Sequence, residues 1–240
     1  MTMTTINKPD FIVLGGHKCG TSSLHFYLQQ HPEIYIYPKK GIDFFNREGN
    51  RETGENCITT IAEYKKLYDQ VPNEMVVGEV SSVYFQSIRA CQTIKKYLSH
   101  VKLIAILRNP VDRALSNFNI KHNNVNHRNY QEIFDDHKLL CRGLYSQFIN
   151  LYLKEFDKYI IRFYLFEELK KETLFPSFFD FIGVNSSFKP DCSSILNESQ
   201  KKEISVQIKL KLIDFYKDDI LKIQDMLNID LSNWLTANTY

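Results

Sequence analysis

Between an apolar run and a stretch of helical pattern lies Gly15-Gly16-His17-Lys18-Cys19-Gly20-Thr21-Ser22-Ser23. Glycines in that context let backbone amides converge on an anion, and the positive end of the following helix adds its dipole. Lys18 supplies a full charge, and Thr21, Ser22 and Ser23 supply three consecutive hydroxyls. The order differs from the GxxxxGK[ST] of a Walker A loop, because here Lys18 precedes Gly20. No downstream aspartate stands out as partner for a magnesium ion, so a P-loop-type phosphotransferase is the runner-up class of enzyme. A purely structural alternative is a tight turn that packs the helix on a sheet, with Thr21 to Ser23 as caps.

A second cluster follows the apolar run Leu103 to Leu107. Arg108 stands at its carboxyl end, and Ser116 lies two turns into the next helical stretch. An arginine fork makes bidentate, charge-assisted hydrogen bonds to phosphate, and a serine hydroxyl can complete the oxygen shell. The plain alternative for Arg108 is an ordinary ion pair at a strand end. Arg113 reads as a surface residue paired with Asp112 or Asp136.

The elements that must position these residues alternate. Strand patterns at Phe11 to Leu14, Ile34 to Tyr37, Met75 to Val80, Val101 to Leu107 and Ile160 to Phe166 are short and apolar. Helical patterns occupy Thr21 to Gln30, Ile58 to Tyr68, Gln86 to Leu98, Gly143 to Phe156, Pro176 to Ile182 and Glu203 to Leu227. Another helix runs from Pro110 to about His122, with Asn109 as its cap, proline at the first position and Asp112 in the first turn. Pro38 to Asn46 and the Asn- and His-rich Lys121 to Tyr130 read as loops. Phe175, Phe178, Phe179 and Phe181 read as core, and Lys201, Lys202, Lys209 and Lys211 as a solvated helix face. The alternation predicts an α/β protein, a three-layer open parallel sheet flanked by helices, with ligands beyond the carboxyl ends of the strands.

Length and composition set outer limits. The 240 residues suit a single domain spanning 1–240, with residues 1–10 a flexible, Thr-rich N-terminus that lacks the apolar core of a signal peptide. With 43% hydrophobic and 24% charged residues the chain is expected to fold, and a net charge of +2 argues against a nucleic-acid partner. No stretch nears the roughly 18 apolar residues of a membrane span, so no membrane partner is expected. Cys19, Cys57, Cys91, Cys141 and Cys192 form no CxxC pair and read as reduced thiols of a cytoplasmic protein. The seven histidines make no metal-type pair, so no metal is expected.

Together the two clusters resemble the sulfotransferase family, most closely its heparan-sulfate branch and the related bacterial enzymes. Gly143-Leu144-Tyr145, Tyr152, Phe156, Glu167-Glu168-Leu169 and Asp230-Leu231-Ser232-Asn233-Trp234 resemble the family's later half. The resemblance implies the P-loop-like sulfotransferase fold and transfer of a sulfuryl group from 3′-phosphoadenosine-5′-phosphosulfate (PAPS) to a hydroxyl or amine, leaving 3′,5′-diphosphoadenosine (PAP). It implies that Lys18, Cys19, Gly20, Thr21, Ser22 and Ser23 grip the 5′-phosphosulfate, with Lys18 also catalytic, and that Arg108 and Ser116 hold the 3′-phosphate. The acceptor is expected to be a small molecule, since the charge is nearly balanced and no secretory anchor is evident.

The chain departs from the family at two places. A glutamate three residues before a Phe-Phe pair serves the family as base, whereas Gly41 stands three residues before Phe44-Phe45. We choose Asp43 as catalytic base over His17, Glu79 and His122, because residues two apart in an extended segment face one side about 6.5 Å apart; the alternative is that Asp43 only caps its own loop. The family's Glu-Lys pair after the middle strand becomes Glu79-Val80, with Tyr84 kept. His17, Asp43, Glu79 and Tyr84 are the expected acceptor-binding residues. Loss of the glutamate also keeps open a non-catalytic, sulfotransferase-like nucleotide-binding protein.

Overall fold

The computed structural model describes residues 8–48, 57–73, 75–122, 129–193 and 204–237. Most of the N-terminal segment, residues 123–128 of the Asn- and His-rich loop, Lys201 and Lys202 lie outside the described residues.

In chain order the elements are β1 (Phe11–Gly15), α1 (Thr21–Leu28), β2 (Ile34–Ile36), α2 (Phe44–Arg47), α3 (Ile61–Lys66), β3 (Val76–Val80), α4 (Ile88–Tyr97) and β4 (Lys102–Leu107). Then come α5 (Pro110–Lys121), α6 (His137–Cys141), α7 (Ser146–Glu155), β5 (Ile161–Leu165), α8 (Phe166–Lys170), α9 (Leu174–Ile182) and α10 (Val206–Leu227). The strands form one sheet in the order β2-β3-β1-β4-β5, and every pair is parallel. This is the expected open parallel sheet flanked by helices. β1 lies centrally, pairing with β3 on one side and β4 on the other, so the order turns at β1. In such sheets ligands sit beyond the carboxyl ends at that turn, and the loop leaving β1 is the glycine loop.

Local chemistry sets the boundaries. Asn109 Oδ1 accepts from the amide of Val111 at 2.9 Å, the expected cap of α5. Thr60 and Glu63 form a capping box that starts α3 at Ile61, three residues later than the apolar pattern suggests. The Ser87 side chain accepts from Ala90 and starts α4 in the same way. One helix was not foreseen where a loop was expected: α2 turns Phe44 and Phe45 inward, Phe44 stacking on Tyr64 with ring centroids 4.5 Å apart. A four-residue helix leaves no periodic trace in the sequence, and the same holds for the five-residue α6 and α8.

The chain groups into two compact units, Met1–Leu107 with Leu151–Asn197 and Arg108–Asn150 with Glu198–Tyr240. The first holds the sheet and a core in which Phe11, Val13, Leu24, Leu28, Ile104, Phe175, Phe178 and Phe179 are buried. Phe11 meets Phe178 edge-on at 5.9 Å, and Phe175, Phe178 and Phe179 are core as expected, whereas Phe181 is only partly buried against that core. Burying such a side chain contributes roughly 1.5–3 kcal/mol, and Phe178→Ala would cost about 3–5 kcal/mol through the cavity it leaves.

The second unit packs α5 against α10 around Tyr216 and Trp234, both fully buried. Tyr216 Oη donates to the carbonyl of Leu140 at 2.9 Å, and Asp219 Oδ2 accepts from the amide of Tyr145 at 2.7 Å. A buried carboxylate is tolerable only with such partners.

Candidate active site

The glycine loop carries the chain from β1 into α1 through Gly20. Gly20 is the N-cap of α1 in the left-handed conformation at φ 80°, and no side-chain oxygen caps the helix. A Cβ on Gly20 would stand 2.6 Å from the Phe166 ring, so both backbone conformation and packing demand glycine there. Gly20 therefore brings no side-chain oxygen of its own to the first-turn amides of α1. Lys18 also takes the left-handed conformation, at φ 69°. Strain of that kind in a non-glycine residue persists where the surroundings enforce it, and it concentrates at ligand sites. Cys19 is buried beneath the loop, and Thr21 and Ser23 are buried as well.

One cation was missed in the sequence. Lys40 Nζ donates to Thr21 Oγ1 at 2.9 Å and to Ser22 Oγ at 2.7 Å, joining the Lys39-Lys40-Gly41 segment to the mouth of the loop. Burial, with Lys18 adding like-charge repulsion, pushes its ammonium down to about 8, and Asp43 opposes this. The signal was present as a basic residue beside Gly41, but 18 residues of sequence separate it from Ser22.

Asp43 is placed differently from the expected geometry. The segment is not extended: Gly41 has φ 75° and Asp43 φ 55°, both left-handed, so the two-residue alternation of a strand does not apply. The bend nonetheless carries the Asp43 carboxylate towards Gly41. Oδ1 accepts from Ser81 Oγ at 3.0 Å, and Oδ2 lies 3.7 Å from Arg47. Ser81 is itself fixed, since its amide donates to the carbonyl of Val13 at 2.9 Å and its hydroxyl accepts from the amide of Val83. Asp43 thus begins α2 while its side chain is held by the residue that follows β3.

Behind Asp43 lies a closed polar network. Glu79, on β3, is buried, and its oxygens accept from Tyr64 Oη at 2.5 Å and Tyr84 Oη at 2.6 Å. Burial raises the Glu79 carboxyl to about 7; the two tyrosine hydrogen bonds act against this, and the Asp43 charge adds to it. Tyr84 Oη also accepts from the amide of Phe45, which ties the network to α2. Glu79 and Tyr84 therefore face inward, with their polar atoms engaged by neighbours. His17 is half-buried in the loop itself.

The second cluster belongs to the other unit. Arg108 is the first residue past β4 and is half-buried, while its carbonyl accepts from Tyr145 Oη at 3.0 Å. Ser116 is buried on α5. His122, a rejected candidate for the base, ends α5 and stacks on Phe118 at 4.2 Å. Arg113 corrects the sequence reading: it is fully buried, its Nη2 donating to the carbonyl of Leu139 at 2.5 Å, and Asp136 instead pairs with Lys121 at 2.9 Å. An arginine on the inner face of α5 is held by the Leu139 carbonyl of α6, a contact invisible in a charge pattern.

Among the described residues no helix is long and apolar enough to cross a membrane, and no group of three His, Cys, Asp or Glu could hold a metal ion.

Known proteins add a family. The membrane-associated sulfotransferase kil1 of Dictyostelium discoideum is 36% identical over 110 residues, 46% of this chain and 22% of that protein. Heparan sulfate glucosamine 3-O-sulfotransferase 5 of Mus musculus is 30% identical over 110 residues, 46% of this chain and 30% of that protein. The matched stretches thus span less than a third of these relatives. A solved sulfotransferase from Alicyclobacillus acidocaldarius covers 96% of this chain and 100% of its own, at 29% identity and a TM-score of 0.79. A mouse sulfotransferase solved with PAP shares the fold at 15% identity and a TM-score of 0.52, over 92% of this chain and 67% of its own. Residues 8–210 match the sulfotransferase domain. With its central β1 leading through a glycine loop into α1, and with a family match over most of its length, the chain belongs to the sulfotransferase domain family.

Proposed function

We propose that this chain moves a sulfuryl group from PAPS to a hydroxyl or amine of an acceptor and releases PAP. The observation that carries the proposal is the convergence of Lys18, Lys40, Thr21 and Ser22 on the uncapped start of α1, with the Asp43 carboxylate within electrostatic reach of Lys40. That arrangement suits the 5′ end of the donor: amides and hydroxyls take its oxygens, and two ammonium groups answer its charge. Bound PAPS supplies an activated sulfuryl group whose leaving oxygen belongs to the 5′-phosphate. Lys18 stabilises charge developing on that oxygen, Cys19, Gly20 and Ser23 shape the cradle, and Arg108 and Ser116 hold the 3′-phosphate.

Asp43 takes the acceptor's proton on Oδ1 or Oδ2 as the acceptor atom attacks sulfur. Ser81 orients the carboxylate, and the buried Glu79 and Tyr84 support the acceptor side from behind by fixing α2. His17 contributes to the acceptor side from the loop. The small-molecule acceptor is supported by the net charge of +2, which provides little attraction for a polyanion. The cytoplasm is supported by five cysteines that form no disulfide.

The test is a single-turnover assay with sulfur-labelled PAPS against metabolite fractions and heparan precursors, paired with calorimetry of PAP and of magnesium adenosine triphosphate. Label transfer with tight PAP binding supports the proposal. Tighter binding of the triphosphate would point to a phosphotransferase, and PAP binding without transfer to any acceptor to a non-catalytic nucleotide-binding protein.

A further inference from the structure

We propose that Lys40 is a second cation of the donor site, set on the hydroxyls of Thr21 and Ser22 to prime them as donors, and that it takes up a proton when the donor's 5′ group enters. The inference rests on the donor reading above and adds to it a residue and a proton.

Geometry comes first. A hydroxyl has one proton to give and lone pairs to accept with, and both hydroxyls accept from Lys40, at 2.9 and 2.7 Å. Their own protons are thereby directed away from Lys40, and an ammonium at the lone pairs polarises each O–H into a better donor for an anionic oxygen. Lys40 cannot drift far from this post. The next residue, Gly41, donates its amide to the carbonyl of Val80 at the end of β3, so the backbone that carries Lys40 is fastened to the sheet.

The charges facing Lys40 make its proton conditional. Lys18 approaches from the loop, His25 from α1 and Asp43 from the start of α2. His25 is itself held towards the neutral form by burial, despite its hydrogen bond with the carbonyl of Tyr37, and adds little charge. Among the described residues Asp43 is the opposite charge that acts on Lys40, and burial together with Lys18 outweighs it, which brings the ammonium to about 8. An anion bound in the loop reverses this balance, since it attracts both lysines and offsets their mutual repulsion. Free protein above this value holds Lys40 partly neutral, whereas the complex holds it charged. The difference is drawn from the buffer.

The full chain is titrated calorimetrically with PAP at about pH 9 in two buffers of different ionisation heat, a pH at which the phosphates are fully ionised and Lys40 is largely neutral. Wild type is expected to take up more than half a proton. Lys40→Arg, whose charge is fixed, should bind within several-fold of wild type and take up almost none. Lys40→Met should also take up none and bind at least about tenfold more weakly, the scale of a lost charge-assisted hydrogen bond. If Lys40→Met fails to fold by its melting curve, the proton count of Lys40→Arg decides alone. Proton uptake by Lys40→Arg equal to wild type, or unweakened binding by a folded Lys40→Met, overturns the proposal while leaving the donor reading intact. Failure of wild type to bind PAP at all would overturn the donor reading instead.

Discussion

A Cβ on Gly41 would stand 3.8 Å from Asp43 Oδ2 and 3.9 Å from Asp43 Oδ1, so the aspartate carboxylate borders the space that a side chain at position 41 would enter. Two left-handed residues in three fold the segment back on itself and bring this about. Asp43→Asn is expected to slow the single-turnover chemical step by about 10²-fold with PAP affinity unchanged, the scale of a lost general base. Glu79→Gln and His17→Gln, followed alongside, should lose far less. A wild-type rate in Asp43→Asn with a large loss in either of the others would reassign the base.

Lys18→Ala should lower turnover by roughly 10²–10³-fold, the usual effect of removing one donor to a developing charge. The check is a comparison of turnover at saturating PAPS with the melting temperature of the variant. Loss within a few-fold, in a folded protein, would remove Lys18 from the chemistry.

Arg108→Ala is expected to weaken PAP by about 1.5–3 kcal/mol and to leave adenosine 5′-monophosphate nearly unaffected, because only PAP carries the 3′-phosphate. Competition titrations with the two nucleotides give the ratio directly. Equal losses on both would show that Arg108 serves the strand end and no phosphate.

Glu79 makes stability depend on pH. Its carboxyl titrates near 4.5 in the unfolded chain and at about 7 in the fold, so between these values the native state keeps a proton that the unfolded chain has released. Stability contributed by this group is complete below about 4.5, falls as pH rises and levels off above about 7, a loss of roughly 2–4 kcal/mol. Denaturant melts of Glu79→Gln should lack this fall, since an amide does not titrate in this range. An unchanged pH profile in the variant would assign the dependence elsewhere.

The glycine loop, the parallel sheet and the capped start of α5 were legible in the sequence because each is a local rule. Apolar runs of strand length, a glycine turn opening a helix, and Asn109 before Pro110 act within a few residues, and neighbours in the chain suffice to read them. The site's interior was not local. Lys40 reaches Thr21 and Ser22 across the first helix and β2, Ser81 reaches Asp43 across 38 residues, and Arg113 was turned inward by a carbonyl 26 residues away. Such contacts depend on which backbone groups the sheet brings together, and no periodicity encodes them. The direction of the Asp43 carboxylate depended likewise on two positive φ angles that glycine permits and aspartate tolerates, a choice the tertiary packing of Phe44 and Phe45 made.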